Sequence, residues 1–214
     1  MTRRTIVLLA IVWLFATATA GAADFGIGIR AGTQGFGLEG AAGFTERFAV
    51  RGGVYGYDLS RDFEEGGIDY DGELQLGGYG ILVDFFPMRG KFRLSAGLFS
   101  NENEILIEAT PTADIDIGGT TYTPAEAGFL SGTIGFDSTA PYAGIGWGNF
   151  TKGGRVGFLF DFGVLAQGSG DVTLSSNSSL VDPADLALEI AEIEDDIDGF
   201  DLWPVISFGL AIRF

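Results

Sequence analysis

The sequence predicts an all-β protein: an eight-stranded antiparallel up-and-down transmembrane β-barrel with one short amphipathic helix in its last long loop. Three observations lead there. Apolar residues alternate with small or polar ones in eight separate segments; the connections between segments alternate between short and long; and bulky side chains fall on one face of each segment while glycine, alanine and serine fall on the other.

Taken in order, Phe25, Ile27, Ile29 and Ala31 alternate with Gly26, Gly28 and Arg30. Phe36, Leu38, Ala42 and Phe44 alternate with Gly37, Glu39 and Gly43, and Phe48, Val50 and Val54 with Arg51 and Gly53. Tyr79, Ile81, Val83 and Phe85 oppose Gly78, Gly80 and Asp84, and Phe92, Leu94, Ala96 and Leu98 oppose Arg93, Ser95 and Gly97. Pro141, Ala143, Ile145 and Trp147 oppose Tyr142, Gly144, Gly146 and Gly148, while Val156, Phe158, Phe160, Phe162 and Val164 oppose Gly157, Asp161 and Gly163. The chain closes with Ile206, Phe208, Leu210, Ile212 and Phe214 against Ser207, Gly209, Ala211 and Arg213.

The connections fall near residues 33–35, 45–46, 58–73, 87–90, 100–138, 149–154 and 169–201. Even-numbered ones are short and, apart from the first, odd-numbered ones are long, as in a meander whose long loops all emerge at one end. Residues 25–44 read either as one strand, which would leave seven, or as two. A turn at Gln34-Gly35 is preferred because it sets Arg30 opposite Glu39.

Volume decides which face looks inward. The interior of an eight-stranded barrel is only wide enough for side chains to fill, so it suits the smaller set. The bulky set, including Val83, Phe85, Phe158, Phe160, Phe162, Phe208, Leu210 and Ile212, then faces outward, and such a surface suits hydrocarbon rather than water. Closure also satisfies every edge hydrogen bond, which allows a sheet to sit in lipid.

The same alternation turns Arg30, Glu39, Arg51, Asp84, Arg93, Asp161 and Arg213 into the lumen. Buried charges persist only when paired, so an ion-pair network is expected, with Asp84 opposite Arg93 across the turn at residues 87–90 and Glu39 between Arg30 and Arg51. Filling of the lumen is the preferred role of these charges; a proton or ion pathway is the alternative.

Composition narrows the chemistry. The 214 residues include no cysteine and no histidine, 35 glycines and 28 aromatics, with 12 basic against 29 acidic side chains. Disulfides, Cys/His zinc sites, thiol nucleophiles and imidazole bases are therefore absent, no cofactor is expected, and the charge of -17 opposes nucleic-acid binding. At the N-terminus, Arg3 and Arg4 precede an apolar run from Ile6 to Ala16 and then small residues in an A-x-A pattern. This reads as a signal peptide over residues 1–22, cleaved between 20 and 23, with the barrel occupying 23–214.

Charge is sorted along the chain. The long connections 58–73, 100–138 and 169–201 hold 24 of the 29 acids and one base, Arg61, whereas the short turns carry Arg47, Arg89, Lys91, Lys152 and Arg155. Such carboxylates attract divalent cations. Neither Asp69/Asp71 nor Asp195/Asp196/Asp198 fits the twelve-residue calcium loop, and a solvated acidic surface is the simpler reading, so no metal site is assigned. In the last connection Asp182-Pro183 reads as an N-cap and first turn, and Leu186, Ile190, Ile193 and Ile197 form an apolar stripe ending at Gly199. That is a helix over about 183–197, expected to pack on loop residues such as Ile115, Ile117, Phe129 and Leu130. Gly35–Gly40 spells G-x-G-x-x-G with no helix after it, and the Asn149 and Asn177 sequons carry no weight in a bacterial envelope.

The alternating strands and the closing segment Trp203–Phe214 resemble the small eight-stranded outer-membrane barrels of Gram-negative bacteria, of the OmpA transmembrane-domain and OmpX plan. The segments Ala140–Asn149 and Gly163–Gly168 are also similar to an uncharacterised proteobacterial barrel family. The resemblance implies an outer-membrane location and monomeric state. It implies that Phe208, Leu210, Ile212 and the terminal Phe214 form the signal read by the barrel-assembly machinery. Barrel enzymes of this size use a histidine, which this chain lacks, so catalysis is not expected. The expected function is structural, adhesive or envelope-stabilising, with outer-membrane lipid and lipopolysaccharide as partners, bridged by divalent cations. A narrow solute channel is the alternative, and a secreted lipocalin-like binder the third reading.

Overall fold

The computed structural model describes residues 24–214; the expected signal peptide, residues 1–22, and its cleavage region lie outside the described residues. Eight strands close a ring: β1 (Asp24–Gly32), β2 (Gly35–Gly43), β3 (Phe48–Glu65), β4 (Ile68–Phe85), β5 (Phe92–Asn101), then β10 (Thr139–Trp147), β11 (Val156–Ala166) and β13 (Leu202–Arg213). All pairings are antiparallel, and β13 closes on β1 from Gly26 opposite Arg213 to Gly32 opposite Ser207. The eight-stranded transmembrane barrel expected from the alternation is the fold of this chain.

Bulky residues point outward. Phe158 is 82% exposed and Phe208 63%, and Val83, Phe162, Leu210 and Ile212 are also exposed. Phe85 and Phe160 face the same way but are half-buried, because their rings pack against Phe48 and Phe208, each at a centroid distance of 5.0 Å.

Two registers differ from expectation. The first turn is Thr33-Gln34, since Gly32 faces Gly35; this sets Arg30 opposite Gly37 and Glu39 opposite Gly28, one diagonal step apart. The β4–β5 register sets Asp84 opposite Ser95 rather than Arg93, because the connection spans residues 86–91 and not only 87–90. Both shifts preserve the side-chain face, since an even offset leaves the pleat unchanged.

The larger difference is in the segments expected to be loops. A tilted strand crosses a membrane in about 9–11 residues; β1 and β2 have nine, whereas β3 and β4 have 18 each. Their outer halves stand clear of the barrel and turn at Gly66-Gly67, both at positive φ (61° and 79°), the geometry of a two-residue hairpin turn. Onto the outer half of β4 pair β6 (Glu104–Pro111), then β9 (Leu130–Gly135), then β12 (Asp171–Ser176), giving a five-stranded outer sheet in the order β3-β4-β6-β9-β12. A small hairpin, β7 (Ile115–Ile117) and β8 (Thr120–Tyr122), and the short α1 (Pro124–Ala127) follow β6.

The helix α2 spans Pro183–Ile197, with the Asp182 side chain accepting from the Ala184 N–H as the N-cap. Its Leu186 packs against a buried cluster of Ala109, Ile115, Ile117, Tyr122, Leu130 and Val181, so the helix does settle on its own loop residues, although Phe129 is not among them. In vesicles whose acyl chains carry bromine, Trp147 fluorescence in a Trp203→Phe chain spanning residues 24–214 should be quenched, because Trp147 is outward and exposed. Unquenched emission would place the outward face elsewhere than in hydrocarbon.

Candidate functional site

The lumen is built from stacked layers. In the middle lie three arginines and three carboxylates: Arg30, Arg51, Arg93, Glu39, Asp84 and Asp161, none more than 5% exposed. Arg30 donates through Nε to Glu39 and through Nη1 to Asp161, and also to Ser207 Oγ at 2.7 Å. Arg51 forks onto Asp84 with two bonds of 3.1 Å, and its Nη1 reaches Glu39 Oε1 at 3.0 Å. Arg93 donates through Nη2 to Asp161 Oδ2 at 2.6 Å and through Nη1 to the Gly148 carbonyl.

Strand order explains how Arg93 reaches Asp161. On β10, Gly146 faces Arg93 on one neighbour and Asp161 on the other. A Cβ at Gly146 would lie 2.7 Å from Arg93 Cζ, so the missing side chain is the space through which the guanidinium crosses β10. Ser95 and Tyr55 complete the network as hydroxyl donors to Asp84 and Glu39. Among the described residues only Arg30 Nη2 and Arg93 Nε remain buried without a hydrogen bond, and Arg93 Nε lies 3.7 Å from Asp84.

Arg213 stands apart. It shares the inward face, but at the rim it donates to the carbonyls of Asn149 and Gly154 and makes no ion pair with the six central charges. Its position in the last ladder, opposite Gly26, holds it below the network.

Below the charges the turn between β10 and β11 folds back into the barrel. Phe150 is 2% exposed, packs with Ala41, Leu159 and Ala211, and lies 5.6 Å from the guanidinium carbons of both Arg30 and Arg51. Asn149 shapes that turn by accepting from the Thr151 and Lys152 N–H groups. Above the charges, Leu82, Phe99, Ala140, Tyr142, Leu165 and Val205 form an apolar layer flanked by Tyr55 and Trp203. Over that layer sit buried Asn101, Asn103 and Gln167, with Asn103 donating to Gln167 and Gln167 to the Phe200 carbonyl. The inward set is thus not only small residues: a few aromatics enter where lumenal glycines make room, as Gly80 does for Phe99 and Gly144 and Gly163 do for Tyr142.

The outer sheet is sorted by face. Alternation and register put Asp58, Asp62 and Glu64 of β3, Asp69, Asp71 and Glu73 of β4, Glu104 and Glu108 of β6 and Asp171 of β12 on one face, with no base among them. Asp71 stands directly between Asp62 and Glu108, a like-charge row that an isolated sheet disfavours. The other face is mainly apolar; the β7–β8 hairpin, α1 and α2 cover it over β6, β9 and β12, while on β3 it stays exposed and includes Arg61 and Glu65. Tyr122 donates to Asp185 at 2.6 Å, a bond that raises its phenol pKa, and Gly118 donates to Glu189 at 2.9 Å. Burial, with Glu65 and Glu189 nearby, pushes the Tyr70 phenol up as well. Among the described residues no group of carboxylates is arranged to hold a metal ion.

Replacing Arg93 by Ala takes one of its donors from Asp161 and the guanidinium from the Gly148 carbonyl, and removing one partner of a buried pair costs about 3–5 kcal/mol. The temperature at which the folded band on a denaturing gel converts to the unfolded one should therefore fall. Arg213→Ala, outside the network, should lower it much less; equal falls for the two variants would refute the assignment.

No protein-family model matches the sequence, and no curated relative does. Solved structures do match. CarO2 of Acinetobacter baumannii is similar at 19% identity and a TM-score of 0.62, over 91% of this chain and 100% of that one. CarO of the same organism is similar at 19% identity and 0.59, over 88% and 97%. A major outer membrane protein of Thermus thermophilus is similar at 16% identity and 0.44, over 91% and 100%. At these identities the likeness concerns the path of the chain, and that path is the one of the eight-stranded outer-membrane β-barrels.

Proposed function

We propose that the protein is a non-enzymatic, non-conducting integral outer-membrane barrel that presents an ordered acidic sheet at the cell surface, where it makes adhesive or envelope-stabilising contacts. The observation that carries this reading is the β3–β4 hairpin, twice as long as a membrane crossing requires and continued by three further strands outside the ring. A floppy loop would serve a barrel that only spans; a five-stranded sheet with acids on one face is a surface held in a fixed shape.

The stacked lumen supports the non-conducting part. A permeating ion would have to part Phe150, six mutually bonded charges and the Phe99/Tyr142 layer, all of them buried. In this reading the barrel is monomeric, is inserted through the closing-strand signal at Phe208, Leu210, Ile212 and Phe214, and contacts lipid and lipopolysaccharide, the latter bridged to the outer carboxylates by divalent cations. The narrow channel remains the competing reading, and it requires the network to open.

Two measurements test the proposal. In planar bilayers the purified barrel should give no stepwise conductance; stable single-channel steps would establish the channel instead. Because the chain has no native cysteine, Asp62→Cys should react with a membrane-impermeant maleimide on intact cells, whereas Lys152→Cys should react only after the envelope is permeabilised. The reverse labelling pattern would invert the barrel and remove the acidic sheet from the surface.

A further inference from the structure

We propose that the outer half of β3, residues 57–65, is a docking edge for an extended, cationic and amphipathic segment of another protein, which adds to the outer sheet as a sixth strand. The inference rests on the surface-presentation reading above and names the partner for it.

The edge is open. The β2–β3 ladder ends at Phe36 opposite Gly56, and from Tyr57 to Glu65 the strand pairs on one side only, with β4. Among the described residues no backbone group of this stretch bonds to anything else. Nine residues of edge therefore present outward N–H and C=O groups at every second position, the template on which a further strand pairs.

The opposite edge of the same sheet is protected. There α2 lies along β12, the Glu194 carboxylate accepts from the Val172 N–H at 3.3 Å, and Ile197 packs against Gly170. A sheet that covers one edge with a helix and leaves the other long and bare has the asymmetry of a binding edge.

Side chains set the occupant. On one face of the strand Tyr57, Leu59 and Phe63 are 44%, 43% and 46% exposed, with Arg61 and Glu65 in the same row; on the other Asp58, Asp62 and Glu64 are exposed. An incoming strand meets a mainly apolar row, broken by Arg61, on one face and three carboxylates on the other, so it should alternate apolar residues with lysine or arginine. A second copy of this edge is a poor occupant. Antiparallel pairing centred on Arg61 sets Arg61 against Arg61 and Asp58 against Glu64, and centring on Asp62 sets Asp62 against itself.

The test uses the chain 24–214 folded in nonionic detergent and a fluorescent nine-residue peptide alternating lysine and valine. Two further forms of the peptide are methylated on every lysine nitrogen or on every valine nitrogen of the backbone. All three carry the same charge, but each methylated form loses the donors along one of its edges. Fluorescence anisotropy should show binding of the parent peptide, and binding weaker by about tenfold or more for at least one methylated form. It should show a similar loss for the parent on the Asp58→Asn/Asp62→Asn/Glu64→Gln variant, whose exposed positions leave the barrel intact by gel heat-modifiability.

Equal binding of all three peptides would reduce the interaction to charge alone and overturn the proposal, as would absence of parent binding. Sedimentation of the barrel as a dimer that excludes the peptide would overturn it too, with a second copy as the occupant. Failure here leaves surface presentation standing, because that reading is judged by cysteine labelling and bilayer silence.

Discussion

The structure depends on keeping six charges dry in a space of fixed width. An eight-stranded ring has little interior to spare, and an unpaired ion inside it is costly. Three arginines meet three carboxylates so that the network is neutral, and each arginine bonds to at least one acid. Planar guanidinium forks suit this task because they bridge strands: Arg51 alone links Glu39 on β2 and Asp84 on β4. The glycines are the other half of the same constraint. Gly146 clears a path for Arg93, and Gly80, Gly144 and Gly163 clear volume for the rings of Phe99 and Tyr142. At these ring positions glycine is required for lumenal space rather than for backbone flexibility.

With the lumen occupied, the distinctive part of the molecule lies outside the ring. Strand length produces it. Once β3 and β4 continue beyond the membrane crossing, their exposed ladder recruits β6, β9 and β12, and over these three strands the apolar face of the resulting sheet is covered by α2 and the β7–β8 hairpin. Nine of the acids then stand in rows at strand spacing on one face of that sheet. The cross-strand row Asp62, Asp71 and Glu108 lowers the stability of the free sheet and favours a cationic partner; the two effects have one electrostatic cause.

Much of the barrel was legible because each signal was local. Alternation places Phe158, Phe208 and Ile212 on one face and Arg30, Glu39 and Asp161 on the other, and those faces survive any even shift of register. That is why six charges expected in the lumen meet there although Asp84 faces Ser95 and Arg30 faces Gly37. The helix at 183–197 was equally legible from its cap and stripe. The outer hairpins do carry a local signal in the Gly66-Gly67 and Gly118-Gly119 pairs, each a two-residue hairpin turn between short alternating runs. The outer strands were obscured by their acids, because a strand with Asp, Glu and Gly on one face reads as a solvated loop.

By itself the sequence determined the period, the inward and outward faces and the charge at each end, because these follow from residue order within single segments. Tertiary structure alone decided the register, the place of Phe150 beneath the arginines, the exclusion of Arg213 from the network and the pairing of β6, β9 and β12 onto β4. These depend on which distant segments share a ladder and on how much volume the closed ring leaves between them, and neither is written in the spacing of one strand.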